Sequence, residues 1–195
     1  MDARQRRTRD KLQRAVYELA SARPVNEVTV SELAALAELN RSTFYEHASS
    51  PQTLLVQLLG DELDALRDRY LTGIRPADAG AAISDVTRAV LQHVDEHAAI
   101  YRLGLSEDSG AASLHALLSS HFEASIRLLV EQHSITIDDE AALPGLTDLA
   151  ASYISNGTVG VITAWLDGPE PRSIDGVLQA YQRLLPEWWP RGGAH

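Results

Sequence analysis

Apolar residues recur at helical spacing along nearly the whole chain. Leu12, Ala15, Val16, Leu19 and Ala20 fall three and four apart, which predicts an amphipathic helix between Arg9 and Arg23. Pro24 ends it. Thr29-Val30-Ser31-Glu32 has the spacing of a capping box: the threonine oxygen takes one free N–H, and the glutamate three positions on reaches back. The helix so opened carries Leu33, Ala34 and Ala37 on one face. Glu38-Leu39-Asn40 interrupts it, and Asn40 is a good N-cap for a short helix from Arg41 to about His47. Ser50-Pro51 opens the next, serine as cap and proline at the first helical position, with Leu54, Leu55, Leu58, Leu59, Leu63 and Leu66 as its stripe. Gly73 to Gly80, with Pro76 between, reads as a joint. Four more helical patterns follow, at about Ala81–His97, Ala98–Leu105, Ala111–His133 and Gly145–Leu166. Gly168-Pro169-Glu170-Pro171 breaks the chain before a last helix from Ser173 to about Leu185. Val28–Val30 and Ile135–Ile137 favour strand but are too short to build a sheet, so the predicted class is all-α.

Composition narrows the function. The 195 residues include no cysteine, which excludes a disulfide scaffold, a thiolate metal site and a cysteine nucleophile. No apolar run follows Met1, so the expected address is the cytoplasm. The net charge of −10 is unevenly spread: residues 1–50 carry +1 and the remainder −11. A basic tip on an acidic body fits a protein that touches polyanions at one end. A solvated N-terminal helix fits that distribution as well.

Thr29 to His47 has the form of a helix-turn-helix: a capped helix, a three-residue break and a second short helix. Within Arg41-Ser42-Thr43-Phe44-Tyr45-Glu46-His47, Phe44 is the one large anchor, expected to pack on Leu33 and Leu39. The remaining positions are polar. Arginine can chelate a guanine edge, serine and threonine can bond bases or phosphates, and tyrosine and histidine tips can bond phosphate oxygens. A helix kept polar around one buried side chain suits the major groove. A helical hairpin with a solvated face is the alternative.

The run Thr29-Val30-Ser31-Glu32-Leu33-Ala34, then Leu39-Asn40-Arg41-Ser42-Thr43-Phe44-Tyr45-Glu46-His47 with Leu54-Leu55 beyond, resembles the signature of the TetR family of bacterial one-component transcriptional regulators. Ile100-Tyr101-Arg102-Leu103 and Tyr153–Gly157 with Trp165-Leu166 resemble the C-terminal domain of one subgroup. The resemblance implies a homodimer with a three-helix DNA-binding domain over residues 1–50. A ligand-binding and dimerisation bundle over 51–195 would include the connecting helix from about residue 51. It implies a sequence-specific repressor of transcription released by a small-molecule effector, with no enzymatic activity and no cofactor. Its DNA contacts would fall at Arg6, Arg7, Thr29, Arg41, Ser42, Thr43, Tyr45 and His47. Three positions depart from the family pattern. Glu38 stands where glycine commonly takes the left-handed turn, Ala48 where an aromatic is common, and Pro51 where a lysine meets phosphate. Arginines of the stretch 4–9, as a disordered arm, would compensate with phosphate or minor-groove contacts. A helical ligand-binding or interaction module that has lost DNA binding is the alternative. The chain shows no glycine-rich phosphate loop, no serine nucleophile elbow and no paired Glu-x-x-His of a di-iron bundle.

Leu149 to Leu166 runs eighteen residues without a charge, yet its serines, threonines, asparagine and two glycines are too polar for a membrane span. Gly157, Gly160 and Ala164 would let a partner helix approach, and with the last helix this predicts a dimer seam around Gly157 and Tyr181. A core helix of a monomer is the other reading. His93 and His97 have a spacing that can hold zinc, but no acidic or thiol set completes it, so no metal is predicted. His93, His97, Tyr101, His121, Phe122 and Trp165 are the candidates for an effector pocket, or for core. Arg88, Arg102 and Arg127 are the only Lys or Arg residues between 76 and 171, so the effector is expected to be mostly apolar, neutral or cationic.

Overall fold

A computed structural model describes residues 3–106, 112–137 and 143–190. Among these residues there are nine α-helices and no strand: α1 (Ala3–Ala22), α2 (Val30–Leu36), α3 (Arg41–Tyr45), α4 (Pro51–Leu71), α5 (Ala79–Glu96), α6 (Ala98–Leu105), α7 (Ala112–Glu131), α8 (Leu146–Leu166) and α9 (Ile174–Leu184). The chain divides into two compact units, Met1–Asp61 with His97–His115, and Glu62–Glu96 with Ala116–His195. The sequence reading divided it at residue 50 instead; here α6 and the start of α4 belong with the N-terminal helices.

The first unit is built on α1, which packs against α2 and α6, while α2 packs against α3. Leu12, Ala15, Val16 and Ala20 of α1 are buried with Leu33, Phe44, Leu55, Leu59 and Ile100. The apolar stripe read from the sequence is therefore the core face. The helix begins six residues before Arg9, so the disordered arm is replaced by helix. Arginine and glutamine are good helix formers, and polar residues at 4–8 gave no apolar periodicity to read. Arg9 is then tied to Asp61 by an ion pair. Arg6 and Arg7 stand exposed on the helix.

The capping box forms as spaced. Thr29 Oγ1 accepts from Glu32 N at 3.2 Å, and Thr29 N donates to Glu32 Oε2 at 3.0 Å. The bonds that Thr29 N and the Thr29 hydroxyl donate to Glu32 Oε2, with the Arg23 guanidinium at 2.7 Å, hold the Glu32 carboxyl at about 2. Ionised Glu32 thus supports α2 above its ordinary pKa near 4.5, and that support is lost as pH falls toward 2. Thr29→Ala is expected to cost about 1 kcal/mol, read as a lower urea midpoint at unchanged slope. An unchanged midpoint would deny the box its role.

In the second unit α5 packs on α9, and α8 packs on α9. Val86, Val90 and Val94 of α5, Leu118, Ile126 and Leu129 of α7, and Ile154, Val159 and Ile162 of α8 form its core. Ile135 and Ile137 are buried after α7 without pairing as strand. Tyr181, expected at a dimer seam, is turned inward instead. Its hydroxyl lies 2.9 Å from Thr158 Oγ1, and Thr158 spends its own proton on the Ile154 carbonyl at 2.6 Å. Tyr181 is thus the donor of the pair, and burial pushes its phenol above the usual value.

Candidate functional site

The turn between α2 and α3 decides how α3 is presented. The helix ends at Leu36, Ala37 stays right-handed, and Glu38 turns left-handed with φ of 53°. A non-glycine residue pays about 1–2 kcal/mol for that conformation. The Lys11 ammonium, 2.8 Å from Glu38 Oε2, holds the side chain and keeps its carboxyl below the ordinary range. Leu39 N then donates back to the Ala34 carbonyl at 2.9 Å, which closes the turn. Asn40 precedes α3 in extended conformation, though its side chain makes no capping bond.

The five residues of α3 bury Phe44 alone, at 0% exposure. Arg41, Ser42 and Tyr45 are exposed, Thr43 and His47 half-exposed. The Tyr45 ring stands edge-on to Phe44, with centroids 5.5 Å apart at 77°, so the anchor also steadies an outward tyrosine. Five residues hold no helix by themselves. Phe44 is what fixes the outward set.

Thr43 and His47 share one open groove with Arg4, Gln5 and Thr8 of α1 and with Asn40 of the turn. The missed contributors are Gln5, Thr8 and Asn40. The signal was the i, i+4 spacing of Thr8 from Arg4 and the i, i+3 spacing of Thr8 from Gln5, once α1 is known to start at Ala3. Thr29 is exposed, but its hydroxyl is engaged as the cap of α2. Glu46 is also exposed beside the groove; a carboxylate there can accept from a cytosine amino group and repels phosphate.

The second unit holds an apolar cavity of about 40 Å³ among α5, α7, α8 and α9. His121 and Phe122 of α7 line it, with Ile83, Val86, Thr158 and Trp189. The other sequence candidates lie elsewhere. His93 is buried with Nδ1 3.4 Å from Glu62 Oε2. His97 precedes α6 in the first unit, edge-on to Tyr17 at 4.9 Å. Tyr101 is fully buried in that unit. Trp165 lies under the Arg172 guanidinium, 5.8 Å from its ring centre. Trp189, which the sequence reading missed, follows the last helix among prolines and is 5% exposed. Burial pushes the His121 imidazole down to about 4, helped by the Arg67 charge and opposed by Asp64 at 3.7 Å. It is neutral at pH 7.

No family model matches the sequence, and no curated protein does. Solved structures do. The chain is similar to a TetR-family transcriptional regulator from Streptomyces coelicolor, 22% identical with a TM-score of 0.63 over 94% of this chain and 80% of that one. It is similar to a TetR transcriptional regulator from Streptococcus agalactiae, 20% identical with a TM-score of 0.64 over 92% and 93%. A third is Thermus thermophilus FadR, a TetR-family repressor solved with lauroyl-CoA, 20% identical with a TM-score of 0.59 over 95% and 100%. The expected all-α architecture is the one present.

Proposed function

We propose that this chain, which has the fold of TetR-family transcriptional regulators, is itself a sequence-specific DNA-binding regulator, acting as a homodimeric repressor released by a small molecule. The observation that carries this is α3: one fully buried aromatic, every other side chain outward or half-outward, and a strained turn that sets its angle. That arrangement offers Arg41 and Thr43 to base edges and Tyr45 and His47 to phosphates. Arg6 and Arg7 on α1 add sequence-independent attraction.

A dimer is supported by what α8 and α9 leave uncovered. Leu149, Tyr153 and Leu184 are 70%, 76% and 67% exposed. Gly157 and Gly160 stand open on α8, and a Cβ built at either meets nothing within the chain. Gly160→Trp is therefore expected to leave the protomer's fold intact and to block close approach of a second copy. Light scattering should read a dimer for the unaltered chain and a monomer for the variant. A monomer in both would remove the seam.

Two-fold symmetry would space the recognition helices by one DNA turn, about 34–36 Å, or a multiple. A ligand with higher affinity for a protomer conformation of different spacing lowers operator affinity by that difference. FadR holds lauroyl-CoA, a polyanion. Among the described residues the cavity lining carries no arginine or lysine, so that class of effector is disfavoured. The function is tested by titrating mixed-sequence duplex at several salt concentrations. Tyr45→Ala should weaken binding to all sequences by a similar factor and leave the salt slope unaltered, because an uncharged hydroxyl releases no counterion. Unaltered affinity, or a loss confined to particular base pairs, would contradict the phosphate role.

A further inference from the structure

The polar atoms around the cavity of the second unit are nearly all spent on the protein itself. Thr87 donates to the Ile83 carbonyl at 2.7 Å, Ser125 to the His121 carbonyl at 2.8 Å, and Thr158 to that of Ile154. Tyr181 gives its proton to Thr158. Two buried nitrogens on cavity-lining side chains have no hydrogen-bond partner: Nε1 of Trp189 and Nδ1 of His121, on residues 5% and 4% exposed. An indole N–H is a donor only, and leaving it buried and unmet costs about 1–3 kcal/mol.

Among the described residues, no lysine or arginine lines the cavity. Arg127 is turned to Asp148 and Arg88 to Asp175, both in exposed ion pairs, and neither lines the cavity. No carboxylate of the described residues lines it either. Asp64 and Arg67 act on His121 from outside the lining and are paired with each other at 2.9 Å, so a buried ion of either sign meets no unpaired counter-charge among the described lining residues, a costly arrangement. The remaining surface is aliphatic and aromatic: Ile83, Val86, Phe122, Ile126 and Ile154 among others.

We infer that this cavity takes a neutral, compact, largely apolar molecule bearing one hydrogen-bond-accepting oxygen, held by the indole N–H of Trp189. The inference rests on the reading of the second unit as the effector site, and it narrows the expected class by excluding cations as well as anions. At about 40 Å³ the cavity is well below the roughly 150 Å³ that receives a benzene ring. Entry of such a molecule must widen the packing among α5, α7, α8 and α9. Binding is thereby tied to a change of shape in the unit.

The test uses the full chain and four probes: acetophenone, ethylbenzene, benzoate and benzylammonium. Thermal shift gives affinity, and the indole N–H resonances of ¹⁵N-labelled protein report on the anchor. Acetophenone should raise the melting temperature saturably and move one indole resonance, the one absent from Trp189→Phe. Ethylbenzene should bind about fivefold more weakly without moving it, the worth of one hydrogen bond. Benzoate and benzylammonium should not stabilise the protein. Trp189→Phe should lower the affinity for acetophenone about fivefold and leave that for ethylbenzene unchanged. If that variant does not fold, Trp165→Phe and Trp188→Phe assign the Trp189 resonance by elimination, and its shift in the unaltered protein decides. Equal binding of an ion, equal binding of ethylbenzene, an unmoved indole resonance, or no stabilisation by either neutral probe would each overturn the inference. Duplex binding measured on the same protein keeps the two readings apart. DNA bound with no probe bound defeats the ligand class alone, and probes bound with no DNA bound defeats the regulator.

Discussion

Phe44→Ala is expected to destabilise the first unit by about 3–5 kcal/mol and to abolish specific DNA binding. The ring is fully buried and is the only buried side chain of α3. Truncation removes its apolar contacts and leaves a cavity where α3 packs on α2. A helix of five residues has no independent stability, so α3 loses its position before the rest of the unit unfolds. Urea unfolding measures the stability, and anisotropy of a labelled duplex measures the binding. The affinity loss should exceed what Arg41→Ala causes, since every outward side chain of α3 is displaced together. A cost below 1 kcal/mol, or retained specific binding, would mean that α3 is held by something else.

His121 should make the second unit lose stability as the medium is acidified. Its imidazole titrates near 6.5 in an unfolded chain and near 4 when folded, chiefly because burial disfavours the charged form. The unfolded state therefore binds the extra proton first. No penalty exists above pH 6.5, it grows as pH falls from 6.5 to 4, and it is constant below. A shift of this size corresponds to a loss of roughly 3 kcal/mol. Carboxylates titrate in the same window, so the quantity to follow is the stability difference between the unaltered chain and His121→Gln. That difference should be flat above pH 6.5 and shift in favour of the variant by roughly 3 kcal/mol on reaching pH 4. A difference independent of pH would show that the imidazole is not held neutral.

Helix positions were legible where apolar residues kept their period or a cap announced an end. The α2 capping box and the Ser50 cap of α4, which accepts from Thr53 N at 3.1 Å, follow directly from residue type and spacing. The left-handed Glu38 was legible only through resemblance to a motif, because nothing local marks a glutamate for that conformation. The first turns of α1 were not legible, since Arg4–Thr8 bury nothing and so have no apolar period. Pocket composition was harder still. Aromatic and histidine residues of α5–α8 look alike in sequence, but tertiary packing places Tyr101 in the first unit's core and His121 beside the cavity of the second. Trp189 carries no periodic signal, and only contacts remote in sequence bury it.

Selection from random duplexes, performed with the unaltered chain and with Arg41→Ala, tests the central claim most directly. A dimer reading bases through α3 should enrich an inverted repeat whose half-sites lie one or two helical turns apart. Arg41→Ala should keep that spacing and relax preference at one base pair in each half-site, by about 1–3 kcal/mol. Enrichment of no motif by the unaltered chain, or an identical motif from both, would contradict it.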